Sequence, residues 1–223
     1  MASAGTWLLD LVYPPRCVIC HRFLDRGERE ICPACLLALP DYDGPAPRVR
    51  FADGCAVCFY YEDALRESFL RYKFSGLRQY AAPYGRWLAG TIRDRLADRY
   101  ELLSWAPVSR ARRRQRGYDQ TELLCRAVGR ELGLEPVRTL QKKLDNPAQS
   151  GLGGAAERRA NVAGVYEPVR PEQFAGKRLL LLDDIVTTGA TLSECCRVLL
   201  TAGAESVACA ALAAPREDKN LER

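Results

Sequence analysis

Apolar and polar positions follow two different periods along this chain, and the change from one to the other marks its elements. Cys55 to Tyr61 is a run of β-formers after Gly54 and predicts a strand. Leu65, Phe69 and Tyr72 then recur at helical spacing on one face, and Tyr84, Leu88, Ile92 and Leu96 do so again. An apolar run ending at Ala106-Pro107-Val108 predicts a second strand, and Leu123, Leu124, Ala127, Val128 and Leu132 a helix stopped by Gly133. Residues 141 to 161 are polar and glycine-rich without a period and read as a mobile loop. Arg178 to Asp183 predicts a strand apolar on both faces. A helix carrying Leu192, Cys195, Cys196, Leu199 and Leu200 follows, stopped at Gly203, and Ser206 to Leu212 is the last strand. Strands alternating with helices argue an α/β fold whose parallel sheet is covered on both faces. The Pro- and Asp-rich stretch 36 to 54 reads as a linker. It divides a small unit with its linker, residues 1–50, from an α/β domain, residues 51–223.

Composition adds a compartment. Of 223 residues, 48% are hydrophobic and 27% charged, the balance of a soluble globular protein. No apolar run approaches the ~20 residues that span a bilayer. Met1 to Tyr13 carries an apolar patch without a basic lead or a small-residue cleavage site, which predicts a short amphipathic helix and no signal peptide. The expected location is therefore the cytoplasm, with no membrane partner and with cysteines kept as thiols or metal ligands.

Six of the ten cysteines form C-x-x-C pairs in the first 58 residues. Cys17, Cys20, Cys32 and Cys35 have the spacing of a tetrahedral Zn²⁺ site, and four thiolates leave no open position, so the zinc is expected to be structural. A segment of ~50 residues with few large apolar side chains gains from a metal the stability its core lacks. Cys17 to His21 also spells the c-type haem attachment pattern, but His21 is the only histidine and Met1 the only methionine. With no second axial ligand or export signal, haem is set aside. The third pair, Cys55 and Cys58, competes on spacing but falls in the first predicted strand.

Charge locates the next feature. The net +5 comes from 33 basic and 28 acidic residues, and the five arginines between 110 and 116 equal that whole excess. Leu179 to Leu192 reads LLLLDDIVTTGATL. A buried strand ends in Asp183 and Asp184, which can accept hydrogen bonds from a vicinal diol. One loop later, Thr187, Thr188, Gly189, Ala190 and Thr191 offer backbone N–H groups and hydroxyls at a helix N-terminus, which suits a phosphate monoester. Gly189 would let the backbone approach that phosphate with no Cβ in the way. Together these describe a ribose 5-phosphate site. Paired aspartates after an apolar strand also fit a Walker B element, but no G-x-x-x-x-G-K-[ST] loop accompanies them. Gly151-x-Gly153-x-x-Ala156 matches a loose dinucleotide fingerprint without the preceding strand that fingerprint needs.

The segment resembles the PRPP (5-phosphoribosyl 1-diphosphate) motif of type I phosphoribosyltransferases, and the whole chain resembles the ComF/GntX-like family associated with DNA uptake in natural competence. The resemblance rests on the cysteine pairs, Tyr72 to Gly76, Arg116 to Gln120, Gln149-Ser150, Glu157 to Val162 and Leu179 to Leu192. It implies a type I phosphoribosyltransferase fold, a central parallel sheet flanked by helices, with a small N-terminal zinc-ribbon domain. It further implies that Asp183 and Asp184 hold the ribose hydroxyls and Thr187 to Thr191 the 5-phosphate. The loop after Val108 would face a pyrophosphate bridged by Mg²⁺. Three departures stand out: six N-terminal cysteines where many relatives have two zinc sets, Asp119 where the family commonly has an amide, and Ser109 in place of a proline. The expected activity is transfer of ribose 5-phosphate with pyrophosphate release. Lys73, Arg110 and Arg112 are candidates for the pyrophosphate side, equally readable as a solvated basic loop, and Arg158 and Arg159 as closing over the ligand. The alternative is a non-catalytic sensor of PRPP or a nucleotide that binds single-stranded DNA or a competence helicase. Only Tyr118 in the arginine segment offers a stacking ring for that role.

Overall fold

The protein is described by a computed structural model covering residues 14–143 and 164–216. The expected N-terminal helix and the fingerprint-like glycines lie outside the described residues. So does the read loop, apart from its first three residues. Two of those, Gln141 and Lys142, belong to a strand.

The strands are β1 (Cys55–Tyr60), β2 (Leu102–Trp105), β3 (Leu140–Lys142), β4 (Tyr166–Pro168), β5 (Arg178–Ile185) and β6 (Ser206–Ala214). The helices are α1 (Pro33–Leu37), α2 (Asp63–Phe74), α3 (Ala81–Leu96), α4 (Arg110–Arg116), α5 (Gln120–Leu132) and α6 (Ala190–Thr201). Strands β1, β6, β5 and β2 form the main sheet in that order, every neighbour parallel; β3 and β4 pair separately and antiparallel. Leu179 to Leu182 are fully buried, as a central strand covered on both faces requires.

Leu180 and Leu182 face a core with α2, α3 and α5, while Leu179 and Leu181 face one with α6. Five of the nine residues of β6 are alanine, which keeps the side-chain layer on this buried strand thin. Gly85 serves the helix layer in the same way: a Cβ there would stand 2.5 Å from that of Ala127 in α5. The periodicity placed α5 well, because both its ends are capped. Asp119 accepts from Thr121 and Glu122 at its start, and Gly133 takes a left-handed conformation at its end.

Residues 14–50 lie against this core. Cys17, Val18, Ile19 and Cys32 are buried with Leu65, Phe69 and Tyr84. The Ser68 hydroxyl donates to the Val18 carbonyl and Arg71 to that of Ile19. The segment read as a linker is a packed strap. Tyr42 N–H donates to Cys58, Tyr60 N–H to Pro40, and Asp53 N–H to Val207 on β6. Its prolines and aspartates mark irregular backbone, but several of its backbone groups hydrogen-bond to β1 and β6.

Candidate functional site

Asp183 and Asp184 stand at the carboxyl end of β5, where ligands of open parallel sheets bind. Asp184 is met from two helices on one face of the sheet. Lys73, in the last turn of α2, places its Nζ 2.8 Å from Asp184 Oδ2, and Gln120, opening α5, donates to the same oxygen at 3.1 Å. The Asp184 N–H donates to Asp183 Oδ1 at 2.8 Å. The two carboxyls therefore titrate apart. Burial and the neighbouring Asp184 charge push Asp183 up to about 8. Burial would raise Asp184 as well, but the Lys73 charge, the Lys73 and Gln120 hydrogen bonds and Arg116 hold it below its ordinary value.

The strand runs through Ile185 and Val186 into the threonine loop, and Gly189 turns it at φ +69° into α6. The Thr188 hydroxyl is buried and has no protein partner, as an oxygen reserved for a ligand would be. Gly189 has a second role that local reading did not foresee. A Cβ there would lie 2.7 Å from the carbonyl oxygen of Arg48, so the strap crosses directly over the loop. Arg50 N–H donates to Ser193 Oγ at 2.9 Å one turn into α6 and holds the strap in place.

The arginine segment is a helix, not a loop. Ser109 caps its start by accepting from Arg112 N–H, Gly117 ends it left-handed at φ +76°, and arginine is a good helix former. Helical spacing then divides its charges. Arg112 and Arg116, four residues apart, are partly buried and line a cavity of about 140 Å³ with Lys73, Lys142, Tyr166, Asp183 and Asp184. Arg110 is placed elsewhere: with Arg113, Arg126 and Arg138 it lines an adjoining cavity on the other side of Pro107 and Val108. Arg158 and Arg159 lie outside the described residues. Thr191 lines the first cavity, and Thr187, Gly189 and Ala190 a small hollow beside it that also touches Asp183.

Sequence reasoning missed Arg116, Gln120, Lys142 and Tyr166. The first two stood in a quoted motif, but nothing local assigned them to Asp184. Asp119 is explained as well: it accepts from Thr121 and Glu122 at 2.9 and 3.1 Å and from Val108 N–H at 3.1 Å. Its carboxylate caps α5 and pins the turn after β2. Tyr118 is buried at 6% exposure with its hydroxyl on the Tyr72 carbonyl, and is not free to stack on a base.

The second constellation is the cysteine cluster. The sulfurs of Cys17, Cys20, Cys32 and Cys35 lie within 4.8 Å of one another, and Cys20 Sγ and Cys32 Sγ are 3.9 Å apart. Zinc bonded tetrahedrally at ~2.3 Å separates its sulfurs by about 3.8 Å, so the set fits that ion. Cys32 N–H donates to Cys17 Sγ at 3.5 Å. Cys55 and Cys58 are apart from it on β1, outside the cluster, and burial pushes both thiols up to about 12. No helix among the described residues is long and apolar enough to cross a membrane.

Residues 129–223, the stretch that includes β5 and β6 of the parallel sheet, match a family model described as the phosphoribosyl transferase domain. Over most of its length it is also similar to competence proteins. It is 25% identical over 215 residues to Competence protein F of Haemophilus influenzae, covering 86% of this chain and 93% of that one. With Competence protein ComFC of Bacillus subtilis it shares 27% over 210 residues, covering 89% and 84%. With DNA utilization protein YhgH of Escherichia coli K12 it shares 26% over 209 residues, 86% of each chain. Among solved structures it is similar to a glutamine PRPP amidotransferase from B. subtilis. The TM-score is 0.43 and the identity 17%, over 64% of this chain and 30% of that protein's length.

Proposed function

We propose that this homologue of the competence proteins binds PRPP, or another ligand containing ribose 5-phosphate, together with Mg²⁺. In this reading it transfers the ribose 5-phosphate to an acceptor with release of pyrophosphate, in the service of DNA uptake. The observation that carries the proposal is one juxtaposition: two carboxylates at the end of a buried parallel strand, one glycine-turned threonine loop away from a helix N-terminus, under a set of cations. The Thr187–Thr191 loop holds the 5-phosphate, and the unpartnered Thr188 hydroxyl takes up one of its oxygens. Asp183 and Asp184 accept from the ribose hydroxyls and orient the sugar. Lys73, Arg112 and Arg116 face the pyrophosphate, where negative charge grows as its bond to C1 breaks and the acceptor's lone pair forms the new one. Asp183, which lacks the ammonium partner of Asp184, would be the carboxylate to hold a divalent cation, and Mg²⁺ there would supply positive charge against the leaving group. Cys17, Cys20, Cys32 and Cys35 hold a structural Zn²⁺.

A second reading keeps the ligand and drops the transfer: a sensor whose exposed Arg110, Arg113 and Arg114 meet single-stranded DNA or a helicase partner. Thermal unfolding with and without PRPP and Mg²⁺ is the first test. At 100 times Kd, binding stabilises by about 2.7 kcal/mol, or roughly 5–10 °C for a chain of this size. That shift, absent in Asp183→Asn/Asp184→Asn, supports the ligand assignment. No shift in the unaltered protein removes it. Binding with no pyrophosphate released against any acceptor favours the sensor.

A further inference from the structure

The cavity on the far side of Pro107 and Val108 has no part in the proposed transfer, yet it gathers a concentration of positive charge. Five cations line its volume of about 260 Å³: Arg110 and Arg113 from α4, Arg126 from α5, Arg138 from the chain just before β3, and Lys142 from β3. Helical spacing does the gathering within each helix, since positions 110 and 113 share one face of α4 and positions 122 and 126 one face of α5. Trp105, Pro107 and Val108 are the apolar part of the lining.

The acids at hand do not balance these cations. Two carboxylates line the cavity, Asp119 and Glu122, and Asp119 is occupied by three backbone N–H groups. Glu122 is divided: Arg126 reaches its Oε1 at 3.0 and 3.2 Å, and Arg113 stands 3.8 Å from its Oε2. Arg110 and Arg138 have no side-chain hydrogen bond or ion pair among the described residues. Guanidinium groups crowded at one hollow repel one another. An oxyanion that enters removes that cost and meets planar forks that suit phosphate oxygens. A compact ligand fits better than a nucleic-acid strand, because the cations surround one hollow rather than follow a track. The one ring in the lining, Trp105, is 6% exposed and too buried to stack on a base.

We infer that this cavity is a second anion site, separate from that of Asp183 and Asp184, and that its ligand is a compact polyvalent chain of phosphates. Arg110 and Arg138 hold it, and Glu122 competes with it for Arg113 and Arg126. The inference goes beyond the ribose 5-phosphate reading and does not rest on it. It takes Arg110 and Arg113 away from the single-strand surface of the second reading, so those two accounts make opposite forecasts.

The test is calorimetric titration of the full chain with tripolyphosphate, and with ATP, which carries the same chain of phosphates on a nucleoside. Arg110→Ala and Arg138→Ala should each weaken tripolyphosphate binding about tenfold, the value of one charge-assisted hydrogen bond near the surface. Glu122→Gln should strengthen it, because the competitor for Arg113 and Arg126 is gone. Arg114→Ala removes an equal charge from an exposed position that lines neither cavity, and should change the affinity by less than about twofold. Arg110 and Arg138 must govern ATP binding as well; tighter binding of ATP then names a nucleotide as the source, and tighter binding of tripolyphosphate a free polyphosphate. The inference is overturned if tripolyphosphate does not bind, or if Arg114→Ala weakens it as much as Arg110→Ala. It is overturned equally if Arg112→Ala, in the other cavity, abolishes binding while Arg138→Ala does not. A thymidine oligonucleotide held through Arg110 and Arg138 more tightly than either phosphate compound would give the cavity to a nucleic acid instead.

Discussion

Asp183→Asn should make the ligand-free protein more stable at pH 8 while abolishing its ligand affinity. Burial and the adjacent Asp184 raise the Asp183 carboxyl to about 8 in the folded chain, against an ordinary value of 3.8. The folded state therefore keeps a proton that the unfolded state releases. The associated stability is fully present below the unfolded value and drains away as pH rises toward about 8. Each pH unit in that window is worth about 1.4 kcal/mol, but Asp184 shares the titration and Lys73 already neutralises part of its charge. A net difference of about 1–3 kcal/mol between pH 5 and pH 8 is the expected size. Asparagine keeps the oxygen that accepts from the Asp184 N–H and loses the charge, so its stability should not follow that slope. Urea unfolding of both proteins at pH 5, 6.5 and 8, without ligand, reads the difference directly. Equal pH slopes, or a variant less stable than the parent at pH 8, would refute the account of a carboxyl held under electrostatic stress for its ligand.

Three further outcomes follow from the packing. Gly189→Ala places a Cβ 2.7 Å from the Arg48 carbonyl at a backbone φ of +69°. It should cost about 1–3 kcal/mol in denaturant unfolding and weaken the proposed binding of PRPP, because strap and loop must separate. Asp119→Ala removes the acceptor of three backbone N–H groups and should cost about 1–2 kcal/mol. Asp119→Asn keeps an acceptor and should cost well under half of that; equal losses in the two variants would sink the capping role. Metal analysis of the purified protein should find about one zinc per chain, lost in Cys17→Ser and kept in Cys58→Ser. Because Cys17 is buried in the same core as Phe69 and Tyr84, loss of the metal should also lower the melting temperature of the whole chain, and unchanged melting would contradict that packing.

Much of this site was legible because its parts are neighbours in the chain. Strand β5, the two aspartates, the threonine loop and α6 fall within Arg178 to Thr201, and their order along the backbone dictates their order in space. The cysteine quartet was legible for the same reason: two C-x-x-C turns one short loop apart have few ways to face each other. Helical periodicity placed α2, α3 and α5, and for α5 the end caps did so as well, because those signals act within a turn or two. The arginine run was misread as a loop because it shows no apolar period, although the caps that make it a helix, Ser109 and Gly117, were already in the sequence.

What the tertiary structure alone decided is which side chains reach the aspartates. Lys73, Gln120 and Arg116 come from three helices, and one of them, α5, is seated by a contact with a fourth, Gly85 of α3 against Ala127. No local pattern encodes a crossing angle or the rotation of one helix against another. Arg110 and Arg112 look alike in sequence, and two positions of helical rotation send them to different cavities. The strap over Gly189, the pairing of Asp184 with Lys73 and the meeting of Phe74 with Arg116 belong to the same class: contacts between residues 42 to 141 positions apart, set by how whole elements pack.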